Sequence, residues 1–123
     1  MSTLDPTTLH ARIAEIKARH DDPPWSERVV DTDYVRGTVI CQPPGQVNDR
    51  HYHLQDEWWY IVEGEIDWEM EGREEPVRAK QGDFVFAPKN VFHHIHPVGD
   101  KPSIRLAISH PGEFHRHDRP GDA

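Results

Sequence analysis

The chain has one cysteine, Cys41, so no intrachain disulfide can staple it. No apolar run approaches the ~20 residues of a membrane-spanning helix. The opening residues, Met1-STLDPTTLH, contain no signal-peptide hydrophobic region. Positive charge is also scarce. Lysine and arginine total 14 against 22 aspartates and glutamates, a net charge of −8. That balance argues against a nucleic-acid partner, because phosphate contacts need a basic face. The simplest reading is a soluble cytoplasmic protein with no membrane association. At 123 residues it is long enough for a single domain with one modest core.

Histidine is plentiful, with ten residues, and five of them fall in two short clusters. His51 and His53 form one, and His93, His94 and His96 the other, all in strand-like, hydrophobic surroundings. His115 and His117 lie in a polar tail and are read as solvated.

The spacing predicts one helix, over residues 6–19. Asp5 can cap it, Pro6 suits its first position, and Leu9, Ile13 and Ile16 recur at helical spacing. Pro23 and Pro24 cannot continue it. After them come strands and turns: 34–41, 51–53, two strands about the Glu63-Gly64 turn, a short one at Val77, then 84–88, 91–96 and 104–109. About eight short strands with closely spaced turn signals predict an antiparallel barrel or jelly roll. The expected organisation is a helix and linker over 1–24, a barrel over 25–110 and a tail over 111–123.

In a strand, alternate side chains share a face, so His51 and His53 point the same way. Glu57 follows after a turn, and His93 comes from a distant strand. Three imidazoles and a carboxylate are donors that suit a first-row divalent metal, and four of them leave coordination positions open. His94 and His96 are expected on the barrel exterior or at a subunit contact.

These residues carry a resemblance to the cupin superfamily. Its first motif, Gly-x5-His-x-His-x(3–4)-Glu-x6-Gly, is matched by Gly45, His51, His53, Glu57 and Gly64. Its second is matched by Gly82, Pro88 and His93, and departs at Asn90, where the family has glycine, and at Pro97, where it has asparagine. Asparagine tolerates a left-handed turn, so the first departure is mild. The resemblance implies an all-β double-stranded β-helix, a jelly-roll barrel with one added N-terminal helix. It also implies His51, His53, Glu57 and His93 as ligands of one divalent ion: Fe(II) by preference, or Mn, Ni or Zn.

Around that site, alternation puts Trp59 and Ile61 on the metal's side and Trp58, Tyr60 and Val62 on the other. Trp59 is a candidate pocket wall or a plain core residue. Arg36 and Arg105 lie on predicted strands. Facing inward, either would bind a substrate carboxylate bidentately; facing outward, it would be solvated. Tyr34 shares a face with Arg36. The exterior aromatic face and short edge strands point to a homodimer.

Three functions compete for a small-molecule substrate. The first is dioxygenase-type chemistry on a small organic acid or aromatic compound. The second is non-oxidative, metal-dependent isomerisation, lysis or decarboxylation, and the third is ligand or metal binding without turnover. A partial resemblance to 3-hydroxyanthranilate dioxygenases fails at Val47 and Pro97, where that family has arginines, so its specific activity is not carried over.

Overall fold

The structure, a computed structural model, describes residues 9–119. Asp5 and Pro6, the expected helix start, lie outside them. The helix α1 spans Ile13–Ala18, shorter than the spacing predicts. Leu9 matches the helical period but lies before α1 and is 96% exposed. Six residues are too few to hold a helix in water alone. Tertiary contacts hold it instead: Ile16 is buried in a cluster with Val39, Cys41 and Ile104. Arg19 and His20 both bind the buried Glu27 carboxylate, and Lys17 pairs with Glu63.

Eight strands follow: β1 (Trp25–Asp31), β2 (Arg36–Gln42), β3 (Glu57–Glu63), β4 (Glu65–Met70), β5 (Val77–Lys80), β6 (Phe84–Ala87), β7 (His93–Val98) and β8 (Ser103–Ser109). β1 is absent from the sequence reading, and in the expected strand 51–53 only His51 and Tyr52 pair, each in an isolated bridge. One sheet has the order β1-β2-β8-β3-β6 and the other β5-β4-β7, with every pairing antiparallel. This is the expected all-β, double-stranded β-helix.

The core contains Trp59, Ile61, Ile66, Trp68, Ala79, Val85, Ala87, Ile95 and Ala107, drawn from both sheets. Trp59 and Trp68 are almost fully buried, with rings 5.4 Å apart. Each contributes roughly 4–6 kcal/mol of apolar burial. Gly64 has to be glycine. Its φ is +83°, and an added Cβ would lie 2.8 Å from Ser103 Cα, so the β3–β4 turn could not pass β8.

On the outer face of the large sheet, Trp58 sits opposite Phe86 and Tyr60 opposite Phe84. Trp58, Phe84 and Phe86 are exposed, whereas Val62 packs beside α1. Among the described residues, no helix is long and apolar enough to cross a membrane.

The hydrogen bond from Arg19 and that from His20, against the opposing effect of burial, hold the Glu27 carboxyl below its ordinary 4.5. A depressed carboxyl stabilises the fold above 4.5, and that contribution is lost as pH falls through its folded value. Glu27→Gln is expected to cost about 1–2 kcal/mol at neutral pH, Arg19 being half-exposed and screened. Thermal melts of both proteins should converge in acid. A constant gap would mean that Glu27 acts through packing rather than charge.

Candidate metal centre

Backbone pairing builds the centre. His51 and His93 exchange two hydrogen bonds, His51 N–H to His93 O at 3.0 Å and His93 N–H to His51 O at 2.8 Å. This sets their imidazoles side by side, with ring centroids 4.4 Å apart. A second brace ties the turn after His53 to the turn before His93. Asn90 donates its N–H to His53 O at 2.7 Å, and Lys89 donates its own to Asp56 Oδ1 at 2.9 Å. Asn90 reaches that carbonyl with φ +66°, the left-handed conformation expected where the motif has glycine.

His51, His53, Glu57 and His93 converge, with one donor atom from each lying within 4.8 Å of the others. Glu57 Oε1 is 3.0 Å from His53 Nε2 and 3.7 Å from His93 Nε2. Donors bonded at about 2.0–2.2 Å to one ion stand roughly 3–4 Å apart, so these distances fit a metal. His93 Nε2 is buried with no hydrogen-bond partner, and the group nearest to the buried Glu57 Oε1 is the His53 ring. An ion among them would remove the cost of leaving the His93 nitrogen unpaired. This cluster could therefore hold a metal ion.

The electrostatics keep two of the three rings available as ligands. Burial lowers the pKa of His51 to about 4, with help from His115 and against the Asp49 carbonyl. Burial likewise lowers His93 to about 3, despite a hydrogen bond to the Val91 carbonyl. Both rings are neutral at pH 7. For His53, burial also disfavours protonation, but Glu57, Glu113 and the Phe114 carbonyl outweigh it and raise the pKa.

A cavity of about 270 Å³ opens beside this cluster. His51 and Glu57 form one side, and Thr38, Ile40, Gln42, Trp59, Ile95 and Arg105 contribute to the rest. Arg105 faces inward from β8, where Ile40 and Ile61 flank it in register. Its Nη1 donates to Gln42 Oε1 at 2.7 Å, and Gln42 is paired amide to amide with Asn48. Nε of the same guanidinium has no partner. Burial pulls the Arg105 pKa down to about 10, partly offset by Glu57, so it stays cationic at neutral pH.

The other expected pocket residues part company here. Trp59 lines the cavity, with its ring 5.3 Å from that of His93. Arg36 is on the same strand face but at the strand end, 3.6 Å from Asp31, and does not line the cavity. Tyr34 sits in the bend before β2, is 84% exposed and does not line it either. His94 and His96 lie on the outer side of β7, where His96 pairs with Glu69. With Glu69 they form a second, half-exposed group able to hold an ion.

The tail histidines are a correction. His115 and His117 are more than half exposed, yet both bind Asp49, at 2.8 and 2.6 Å. His115 also stacks on His51 at 3.6 Å, nearly parallel, and lines the cavity. The one sequence signal for this was their two-residue spacing, which matches that of His51 and His53.

A family model described as cupin domain matches residues 38–109, more than half of the chain. The chain belongs to the cupin family. This cupin is similar to an RmlC-like cupin of double-stranded β-helix fold from Methanocaldococcus jannaschii, with 26% identity and a TM-score of 0.66 over 76% of this chain and 84% of that one. It is also similar to the DMSP lyase DddQ from Ruegeria pomeroyi, with 28% identity and a TM-score of 0.57 over 74% of this chain and 42% of that one. The polyketide synthase CurC from Streptomyces cyaneus is 29% identical over 65 residues, 53% of this cupin. The match spans 41% of that relative's length.

Protein expressed without metal supplementation is expected to carry about one equivalent of a transition metal. His51→Ala and Glu57→Ala are expected to carry little. Elemental analysis checks this, and a wild type that also refuses added Fe, Mn, Ni and Zn would exclude the centre.

Proposed function

We propose that this cupin is a mononuclear metal-dependent enzyme acting on a small organic acid or aromatic carboxylate, with Fe(II) the favoured ion and Mn, Ni or Zn the alternatives. Arg105 carries the reading. A buried cation whose hydrogen-bond partner is an amide is costly unless an anion joins it, and Arg105, with its Nε unpaired, lines the cavity shared with His51 and Glu57. A substrate carboxylate supplies that charge and suits the guanidinium fork. The cavity volume suits a small acid or a single aromatic ring rather than a polymer.

When bound, the ion would supply Lewis-acid chemistry and, as Fe(II), a site for dioxygen at the open positions. Arg105 would anchor the substrate, and the Gln42–Asn48 pair would hold the guanidinium in place. Trp59, Ile40 and Ile95 would keep water from that side of the cavity. Dioxygenase-type chemistry is the first reading, because the four donors leave room for both oxygen and a chelating substrate. A non-oxidative reaction is the second. It is supported by the His115–Asp49 pair on the cavity wall, a candidate proton acceptor, and by the likeness to a lyase.

We infer that the protein works in the cytoplasm as a homodimer. The exposed Trp58, Phe84 and Phe86 form an apolar face at the β6 edge, which a second copy would cover.

Small carboxylic acids are expected to be turned over with oxygen uptake by the Fe(II)-loaded protein on an oxygen electrode. Turnover that persists anaerobically with Mn, Ni or Zn would transfer the assignment to the non-oxidative class. Arg105→Met should raise KM for a carboxylate by roughly 10–100-fold, the worth of a charged hydrogen-bonded contact, while leaving the fold as stable or more so. An unchanged KM would remove Arg105 from substrate binding. Phe86→Glu should shift the sedimentation coefficient from dimer to monomer, and a wild type already monomeric would end the dimer proposal.

A further inference from the structure

The three ligand histidines solve one problem in two ways. To present Nε2 to an ion, each ring must carry its proton on Nδ1, and a hydrogen-bond acceptor there fixes that tautomer. His51 and His93 use the backbone two residues back. His51 Nδ1 lies 3.0 Å from Asp49 O, and His93 Nδ1 lies 3.3 Å from Val91 O. For His53 the equivalent carbonyl is that of His51, which accepts the His93 N–H in the pairing that builds the site, and His53 Nδ1 makes no hydrogen bond to it. An acceptor for His53 comes from elsewhere.

One stands beside it. Glu113 Oε2 is 3.6 Å from His53 Nδ1, and the two side chains are 11% and 8% exposed. Both atoms are buried without a hydrogen-bond partner. An unpaired buried carboxylate oxygen facing an unpaired ring nitrogen is unfavourable for both, and a small side-chain shift joins them. Contacts of this kind are often long before the ligand arrives and shorten when it does.

The segment that carries Glu113 is fixed in place. Arg116 exchanges two backbone hydrogen bonds with Tyr52, the residue between the two ligand histidines, at 3.0 and 3.1 Å. The Tyr52 hydroxyl donates to Asp118 O at 2.9 Å. Arg119 forks onto the Glu71 carboxylate, and His115 stacks on His51. Residues 113–119 therefore lie across the centre as a strap and touch two of its four donors.

We propose that Glu113 is a positioning residue of the metal centre, whose carboxylate accepts a hydrogen bond from the Nδ1–H of His53 and so aims His53 Nε2 at the ion. This rests on the metal-centre reading of His51, His53, Glu57 and His93. Outer carboxylates of this kind raise the basicity of the ring and hold its orientation, and their loss weakens metal binding roughly 10–100-fold.

Two measurements test it. Chelator competition with Zn(II) or Fe(II) should show metal binding weakened roughly 10–100-fold in Glu113→Ala, with Glu113→Gln in between because its amide oxygen accepts the bond without the charge. The zinc-loaded protein supplies the second readout. Its His53 Nδ1–H proton should appear far downfield and exchange slowly by NMR in the wild type, and move upfield and exchange faster in the alanine variant. Glu113→Gln serves both measurements if Glu113→Ala does not fold. Unchanged metal affinity would overturn the proposal. So would an unchanged Nδ1–H signal, which would pass the role to the Phe114 carbonyl. A wild type that takes up no metal ends the metal-centre reading and this proposal together, whereas intact affinity in the Glu113 variants ends this proposal alone.

Discussion

The candidate metal centre depends on the paired backbone exchange between His51 and His93. It lies outside the long ladders of either sheet, yet it brings residues 42 positions apart into direct register. One ligand sits on a connecting segment and the other opens β7, so the pairing ties a loop to the small sheet. The His51 carbonyl accepts the His93 N–H there, and His53 Nδ1 makes no hydrogen bond to it, unlike the matching nitrogens of His51 and His93. The 113–119 strap is what stands on that side of His53.

Charge is distributed around this point in a consistent way. Two ligand rings are held neutral by burial and Glu57 supplies one negative charge, so an ion of charge two would leave the inner site positive on balance. Arg105 adds a further positive charge on the same cavity. Asp49 on the cavity wall and Glu113 beside His53 offset part of that charge. On the proposed reading, the positive charge that a substrate anion would meet is that of Arg105.

Much of the fold and centre was legible in the sequence because the signals are local. The spacing from Gly45 to Gly64 is read within one segment, and strand alternation alone puts His51 and His53 on one side. Asn90 could be assigned a left-handed turn from its chemistry. What failed was set by tertiary contacts. Leu9 fits a helical period but no core surface comes near it. β1 was missed because Trp25–Asp31 lacks clean alternation: its buried residue is Glu27, which is charged and acceptable there only because Arg19 and His20 come from α1 to meet it. Arg36 and Arg105 looked alike, since inward or outward depends on strand register, which a single sequence does not specify. Glu113 and His115 were invisible as site residues because their contacts cross about 60 positions of chain and come from a polar, proline- and glycine-bearing segment.

The placement of β8 has a consequence for how the molecule must form. Residues 103–109 are the last strand in chain order, yet they occupy the middle of the large sheet, hydrogen-bonded to β2 on one side and β3 on the other. Until they arrive, β2 and β3 each present an open edge, and the two halves of that sheet share no ladder. The pairings that join those halves must wait for one late segment, a high-contact-order step that leaves strand edges open until then. A chain interrupted before residue 103 would not be a smaller version of this barrel. Beside the small sheet it would keep two separate strand pairs, β1-β2 and β3-β6, with exposed edges prone to join whatever strand they meet first.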